Sequence, residues 1–275
     1  MPIPTKVSAR IAAGLKRFQP ILAAAKSRDV NESDTVVVVT DVLQEVFGYD
    51  KYSEITSEHS IRGTFCDLAI KLDGRIATLI EVKAVGIELK DSFVKQAVDY
   101  AANQGVDWVM LTNGIIWRTY KVSFAKPIEH ELVLEFNMTE LAPRSEEDLE
   151  LLWLLAKEGW IKQGIGEYHT QRQALSRFSL AAVVLTDPVL EVLRRELRRI
   201  SPGVKIDLED LEKTLRLEVL KREVIEGDKA EAARRQVARA ASRALRTSKA
   251  GIAPPEPVVA SGQVETAAGA ATEES

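Results

Sequence analysis

Apolar residues recur at helical spacing from the first turn of the chain. Val7, Ile11, Leu15 and Phe18 form one stripe, which predicts a helix over 5–27. "NESDTVVVVTDVLQEVFGYD" predicts a second helix, with Ser33 or Asp34 as cap and Gly48 as terminator. Its valine run has strand propensity, but Val39, Leu43, Val46 and Phe47 keep the helical period. The pattern then shortens to that of strands over 52–58, 62–71 and 75–85, with Asp73-Gly74 marking a hairpin. Helical spacing returns over 89–103 through Phe93, Ala97, Tyr100 and Ala101. "VDWVMLT", "IIWRTYKVSF" and "IEHELVLEF" read as three more strands, the first two joined by an Asn-Gly turn. A strand-helix-strand crossover combined with hairpins predicts an α/β fold, a mixed β-sheet flanked by helices.

After residue 138 the pattern is helical only. "SEEDLELLWLLAKEG" opens with Ser145 and Asp148 in capping-box spacing and closes at Gly159. "TDPVLEVLRRELRRI" has Asp187 as cap and Pro188 at the first helical position. "DLEDLEKTLRLEVLKREV" and "DKAEAARRQVARAASRALR" complete an all-helical C-terminal region. Residues 251–275 have no period, little bulk and four acids with no base, the signature of a disordered tail. The expected organisation is therefore a sheet domain at 1–138, a helical region at 139–250 and an acidic tail.

Composition narrows the setting. The chain has 275 residues, 45% of them apolar and 28% charged, so a packed core is expected. No apolar run approaches the ~20 residues of a bilayer span. The basic start, with six Lys or Arg and no acid in the first 28 residues, superficially resembles a transit peptide, but the amphipathic helix accounts for it. The single cysteine, Cys66, lies in an apolar stretch; this excludes a disulfide framework and fits a cytoplasmic setting.

Two charges interrupt the apolar run "IATLIEVKAV": Glu81 and Lys83. An acid-x-lysine triplet alone is usually surface decoration. Here the strand looks buried on both faces, and buried charge is costly unless paired or metal-bound. Asp67 stands in the preceding apolar strand, "FCDLAI". A two-residue Asp73-Gly74 turn with an unbroken ladder puts Asp67 and Glu81 on opposite faces. A three-residue turn, or an equivalent bulge, brings them to one face within reach of a shared cation. Mg²⁺ suits such a site, since it binds through one or two carboxylates plus waters and phosphate; Mn²⁺ is the alternative. Lys83 could then orient or deprotonate a water. Gln96 and Tyr100, at i and i+4 on the next helix, could face the same place, although an amphipathic helix explains them equally.

Together these residues resemble the PD-(D/E)xK nuclease superfamily: Asp67, thirteen residues, then Glu81-Val82-Lys83. Gln96-x-x-x-Tyr100 is similar to the motif of its RecB-like and type I restriction branches, and "MLTNGIIWRTYKV" to the end of the type I restriction R-subunit amino-terminal domain. "NESDT" before a helix ending in "FGYD" also resembles that domain. The resemblance implies a restriction-endonuclease-like core, Asp67 and Glu81 as metal ligands, and Lys83, Gln96 and Tyr100 as catalytic residues. It implies Glu32 as the third acid, with Glu45 as rival. The proline that gives the motif its name is replaced by Cys66. With no G-x-x-x-x-G-K-[ST] phosphate loop and no methyltransferase-like motif, the chain looks like a stand-alone, type IV restriction endonuclease-like relative. The implied activity is Mg²⁺-dependent DNA hydrolysis in defence. A catalytically silent binding or regulatory module and an RNA nuclease are the alternatives. Arg235, Arg239 and Arg243, at i+4 intervals in a segment with seven bases and two acids, are candidate phosphate contacts. An interface pairing them with acids is the competing account. A homodimer or a partner subunit is compatible with either.

Overall fold

Helix α1 (Thr5–Ser27) buries Val7, Ile11, Leu15, Phe18 and Leu22 along one stripe. Gly14 lets it approach the end of the next helix, since a Cβ there would meet Val46 Cγ2 at 2.8 Å. Helix α2 (Glu32–Glu45) confirms that period outweighs β-propensity: Val39, Val42 and Leu43 are buried while Val37 is exposed. Its cap is Asn31, rather than Ser33 or Asp34. The Asp34 N–H donates to Asn31 Oδ1 at 2.8 Å, so the helix starts earlier than expected. The computed structural model describes residues 3–61, 64–124 and 126–250, the side chains of 58–61, 64–65 and 244–250 excepted. The expected acidic tail, 251–275, lies outside them.

Six strands follow in a mixed sheet whose spatial order is the chain order: β1 (Ile55–Ile61), β2 (Thr64–Leu72), β3 (Arg75–Val82), β4 (Trp108–Thr112), β5 (Ile116–Ser123) and β6 (Glu129–Asn137). All neighbours are antiparallel except β3 and β4, which are parallel. The connection between those two is helix α3 (Asp91–Gln104), as a parallel crossover requires. Strand alternation splits the core in two. Leu68, Ile70, Ile80 and Val82 pack with α1 and α2. Ala69, Leu79, Val109 and Leu111 pack with Val94, Ala97, Val98 and Tyr100 of α3. The α/β fold with helices on a mixed sheet is thus the observed one.

Contacts divide the chain into two units, Met1–Arg172 and Gln173–Ser275. The change of pattern after residue 138 falls inside the first. Helix α4 (Glu146–Trp153) starts at Ser145, which caps Asp148 as expected, and ends at Trp153 rather than Gly159. Gly159 lies within the short helix α5 (Lys157–Ile161). Leu149, Leu152, Trp153 and Leu155 join the α1–α2 core. Helix α6 (Gly164–Ala174) follows.

Arg10 ties these elements together. Its guanidinium donates to the Val46 and Phe47 carbonyls at 3.2 Å, and to both Glu158 oxygens at 2.7 and 2.8 Å. The Arg10 hydrogen bond holds the Glu158 carboxyl below the usual range. A depressed acid stabilises the fold above its unfolded pKa, and that stabilisation fades as pH falls through the folded value. Arg10→Ala is expected to lower stability by about 1–2 kcal/mol at neutral pH, the pair being about one-third exposed. Urea titration should show the deficit narrowing in acid.

The second unit contains α7 (Arg177–Val184), α8 (Asp187–Ile200), α9 (Leu208–Thr214), α10 (Arg222–Ile225) and α11 (Asp228–Ala250). Thr186 precedes α8 as its cap, so Asp187 is already helical and Pro188 follows it. The single helix expected across 207–224 is interrupted by a π-helical turn at Leu215–Val219 and an extended Leu220. Leu215, Leu217 and Val219 alternate with polar residues, a period that cannot keep one helical face apolar.

Candidate active site

The turn between β2 and β3 has two residues, with Asp73 at φ 49° and Gly74 at φ 74°. Both values are positive, as a tight primed hairpin turn demands. Leu72 pairs with Arg75, the register that by itself would separate the two acids. The ladder then shifts: Lys71 pairs with Ile76, but Ile70 pairs with Thr78. Ala77 is the extra residue of a bulge. Beyond it Leu68 pairs with Ile80, and the register continued by one residue sets Asp67 across from Glu81. The Val82 N–H donates to Asp67 Oδ2 at 2.7 Å, fixing that carboxylate at the end of β3.

Glu81 is buried, and its Oε1 accepts from Lys83 Nζ at 2.7 Å. Glu32, in the first turn of α2, lies 3.5 Å from the same ammonium. Lys83 also stands 6.0 Å from the centroid of the Phe93 ring on α3. Burial pushes the Asp67 carboxyl above its ordinary range, against the Val82 hydrogen bond and the Lys83 charge. Burial likewise raises Glu81; the Lys83 hydrogen bond opposes this, and the Asp67 charge adds to it. For Lys83, burial acts downward but is outweighed by the Glu81 hydrogen bond and charge, then by Glu32 and Asp67, so its pKa is raised. Lys83 is thus paired with Glu81 and Glu32, while Asp67 is tied to the Val82 N–H and acts on the ammonium through its charge.

Glu45 is placed elsewhere: it pairs with Arg17 at 3.0 Å. Tyr100 is buried in the α3 core and lies close enough to Cys66 for charges there to act on it. Gln96 is exposed, and among the described residues no hydrogen bond joins it to the carboxylates. Cys66 donates to the Ile80 carbonyl at 3.2 Å. Burial, then Glu81 and Asp67, push its thiol up to about 12, so Cys66 stays protonated as a packing group of the core under α3. On α11, Arg235 pairs with Glu231 at 2.7 Å, and Arg239 and Arg243 are exposed.

Among the described residues no group of three His, Cys, Asp or Glu is close enough together to hold an ion by itself. The donor chemistry nonetheless fits a hard cation at two carboxylates. Asp67 Oδ2 accepts from the Val82 N–H and Glu81 Oε1 from Lys83, and each carboxylate has a second oxygen to offer a cation. Mg²⁺ takes one or two carboxylates and fills its remaining positions with water and phosphate.

Two residues that sequence reasoning passed over support this corner. Thr35 and Asn113 are buried polar groups joined to the segment just after Lys83. Asn113 was legible only as half of a turn signal. Thr35 carried no signal beyond its place in "NESDT".

The interior strand β3 thus ends in Glu81 with Lys83 just beyond it, and Asp67 stands across the hairpin. The family model for the type I restriction enzyme R protein N terminus matches residues 37–133, a span holding Asp67, Glu81, Lys83, Gln96 and Tyr100. No curated protein and no solved structure matches the chain. No described helix is long and apolar enough to cross a membrane.

Proposed function

We propose that the protein is a Mg²⁺-dependent endonuclease that hydrolyses DNA, acting in restriction or defence. The observation that carries this is the meeting of Asp67 and Glu81 on one side of the sheet, both with raised carboxyl pKa values, with Lys83 Nζ 2.7 Å from Glu81. Acids perturbed by burial beside a specific charge partner are a recurring feature of functional sites. The match to the R protein N terminus supports the restriction setting and DNA as the substrate. It also supports association with further subunits.

Asp67 and Glu81 would hold the ion. When bound it supplies Lewis-acid stabilisation of the charge that builds on phosphate, and it acidifies water. Lys83 has three donors and no acceptor as an ammonium. It orients the attacking water and stabilises the developing anion, rather than taking a proton. Glu32 keeps that ammonium in place from the α2 side. Gln96, exposed on α3, is free to swing toward a phosphate, and Tyr100 fixes the helix behind it. Arg235, Arg239 and Arg243 provide sequence-blind phosphate affinity, which falls with salt.

Supercoiled plasmid is the direct test. Nicked or linear product is expected with Mg²⁺ or Mn²⁺ and none with EDTA. A matched RNA of equal length should remain intact. Cleavage of RNA alone would move the proposal to a ribonuclease, and metal binding without cleavage of either would leave a silent binding module.

A further inference from the structure

We infer that Thr35 is a positioning residue for Lys83, acting as a hydroxyl clamp between α2 and the segment that follows β3. The inference rests on the nuclease reading above and deepens it. Lys83 lies one residue beyond the end of β3 at Val82, where the sheet ladder gives out. Its own N–H still donates to the Thr112 carbonyl at 2.8 Å. Among the described residues no ladder bond holds residues 84–87. Beside an internal bond from the Ile87 N–H to the Ala84 carbonyl at 2.9 Å, the segment is tied to its neighbours by two buried side chains.

Thr35 Oγ1 accepts from the Val85 N–H at 3.1 Å and donates to the Asn31 carbonyl at 2.8 Å. Asn113 Nδ2 donates to the Val85 carbonyl at 3.4 Å and the Ile87 carbonyl at 2.9 Å. Asn113 Oδ1 accepts from the Ile115 and Ile116 N–H groups, which anchors it to the β4–β5 turn. Both polar groups of Val85 are therefore engaged, one from each side. Thr35 has the more specific part. It stands one turn after Glu32 on α2, and Glu32 and Lys83 are the two groups that meet at 3.5 Å. A single hydroxyl thus couples the helix that carries Glu32 to the backbone two residues past Lys83. A hydroxyl that donates and accepts at once can do this; an apolar isostere cannot, and it leaves the buried Val85 N–H without its acceptor.

Thr35→Val and Thr35→Ser separate the clamp from packing, since valine keeps the shape and serine keeps the hydroxyl. In the full chain, Thr35→Val is expected to reduce the plasmid cleavage kcat at least about tenfold, with KM for DNA and Kd for Mg²⁺ within about threefold of the parent. Thr35→Ser is expected to restore kcat to within about threefold. Amide hydrogen exchange at Val85 should be slow in the parent and in Thr35→Ser, and fast in Thr35→Val. If the valine variant does not fold, Thr35→Ala carries the same expectations. Parent-like kcat in a folded Thr35→Val or Thr35→Ala overturns the positioning role, as does unchanged exchange at Val85. A parent that cleaves no DNA overturns the nuclease reading, and with it the catalytic meaning of the clamp; the exchange result still decides whether the clamp exists.

Discussion

Lys83→Ala is expected to abolish plasmid cleavage, by ~10²-fold or more, while leaving Mg²⁺ binding intact or tighter. Lys83 is a cation 2.7 Å from Glu81, one of the two carboxylates assigned to the metal. An ammonium has no acceptor and cannot be a ligand. Removing it takes a positive charge away from a cation site, so Mg²⁺ meets less repulsion. The loss must then lie in the chemical step. A second readout follows from the same charge. Without Lys83 and without metal, the buried Glu81 has lost its hydrogen-bonded partner and the fold is weakened. Mg²⁺ replaces that charge, so the rise in melting temperature on adding Mg²⁺ should be larger in Lys83→Ala than in the parent. A variant that cuts plasmid like the parent would sink the assignment at its central residue. One that no longer binds Mg²⁺ would show that Lys83 holds the carboxylates in place rather than acting on the reaction.

The candidate residues Asp67, Glu81 and Lys83 stood out in the sequence, but whether the two acids meet did not. Asp67 and Glu81 both interrupt apolar strands, which is a property of composition and needs no coordinates. Whether they share a face depends on the parity of the hairpin. The turn itself took the two-residue form that separates them, and one extra residue at Ala77 reversed the outcome. A bulge leaves almost no mark in a sequence like "GRIATLIEV", where Ala77 stands between Ile76 and Thr78, both ordinary strand residues. The choice between Glu32 and Glu45 was equally invisible. Both lie on α2, and only the tertiary pairing of Glu45 with Arg17 removes it from the site. Helices α1 and α2 were legible because burial follows a strict 3.6-residue period there. Helices α6 and α7 were not. "GIGEYHTQRQA" has two glycines and no apolar stripe, and its formation rests on the tertiary setting. The Lys83 clamp was out of reach for a further reason. Thr35 and Asn113 act through backbone atoms of residues remote in sequence, and a side chain chosen for a backbone contact has no partner to pair with in the sequence pattern.

Asp67→Asn is expected to cost the site its metal and yet leave the metal-free fold no less stable than the parent. Asparagine keeps an oxygen for the Val82 N–H, so the backbone tie survives. What disappears is a charge that burial disfavours. A carboxyl whose folded pKa is raised above its unfolded value opposes folding at neutral pH, and the opposition is relieved as pH falls through the folded value. The sign is opposite to that of Glu158. Metal-free Asp67→Asn should therefore melt at or above the parent at neutral pH, and its advantage should shrink in mild acid as the parent's Asp67 takes up its proton. Mg²⁺ affinity should fall at least about tenfold, because one of two carboxylate ligands has become a neutral amide. The parent's own affinity should weaken on acidification, starting above the ordinary carboxylate range, since protons and Mg²⁺ compete for the same raised acids. Calorimetric Mg²⁺ titrations at several pH values, with parallel melts, read all of these quantities. If Asp67→Asn binds Mg²⁺ like the parent, Asp67 is not a ligand, and its carboxylate serves only to hold the Val82 N–H.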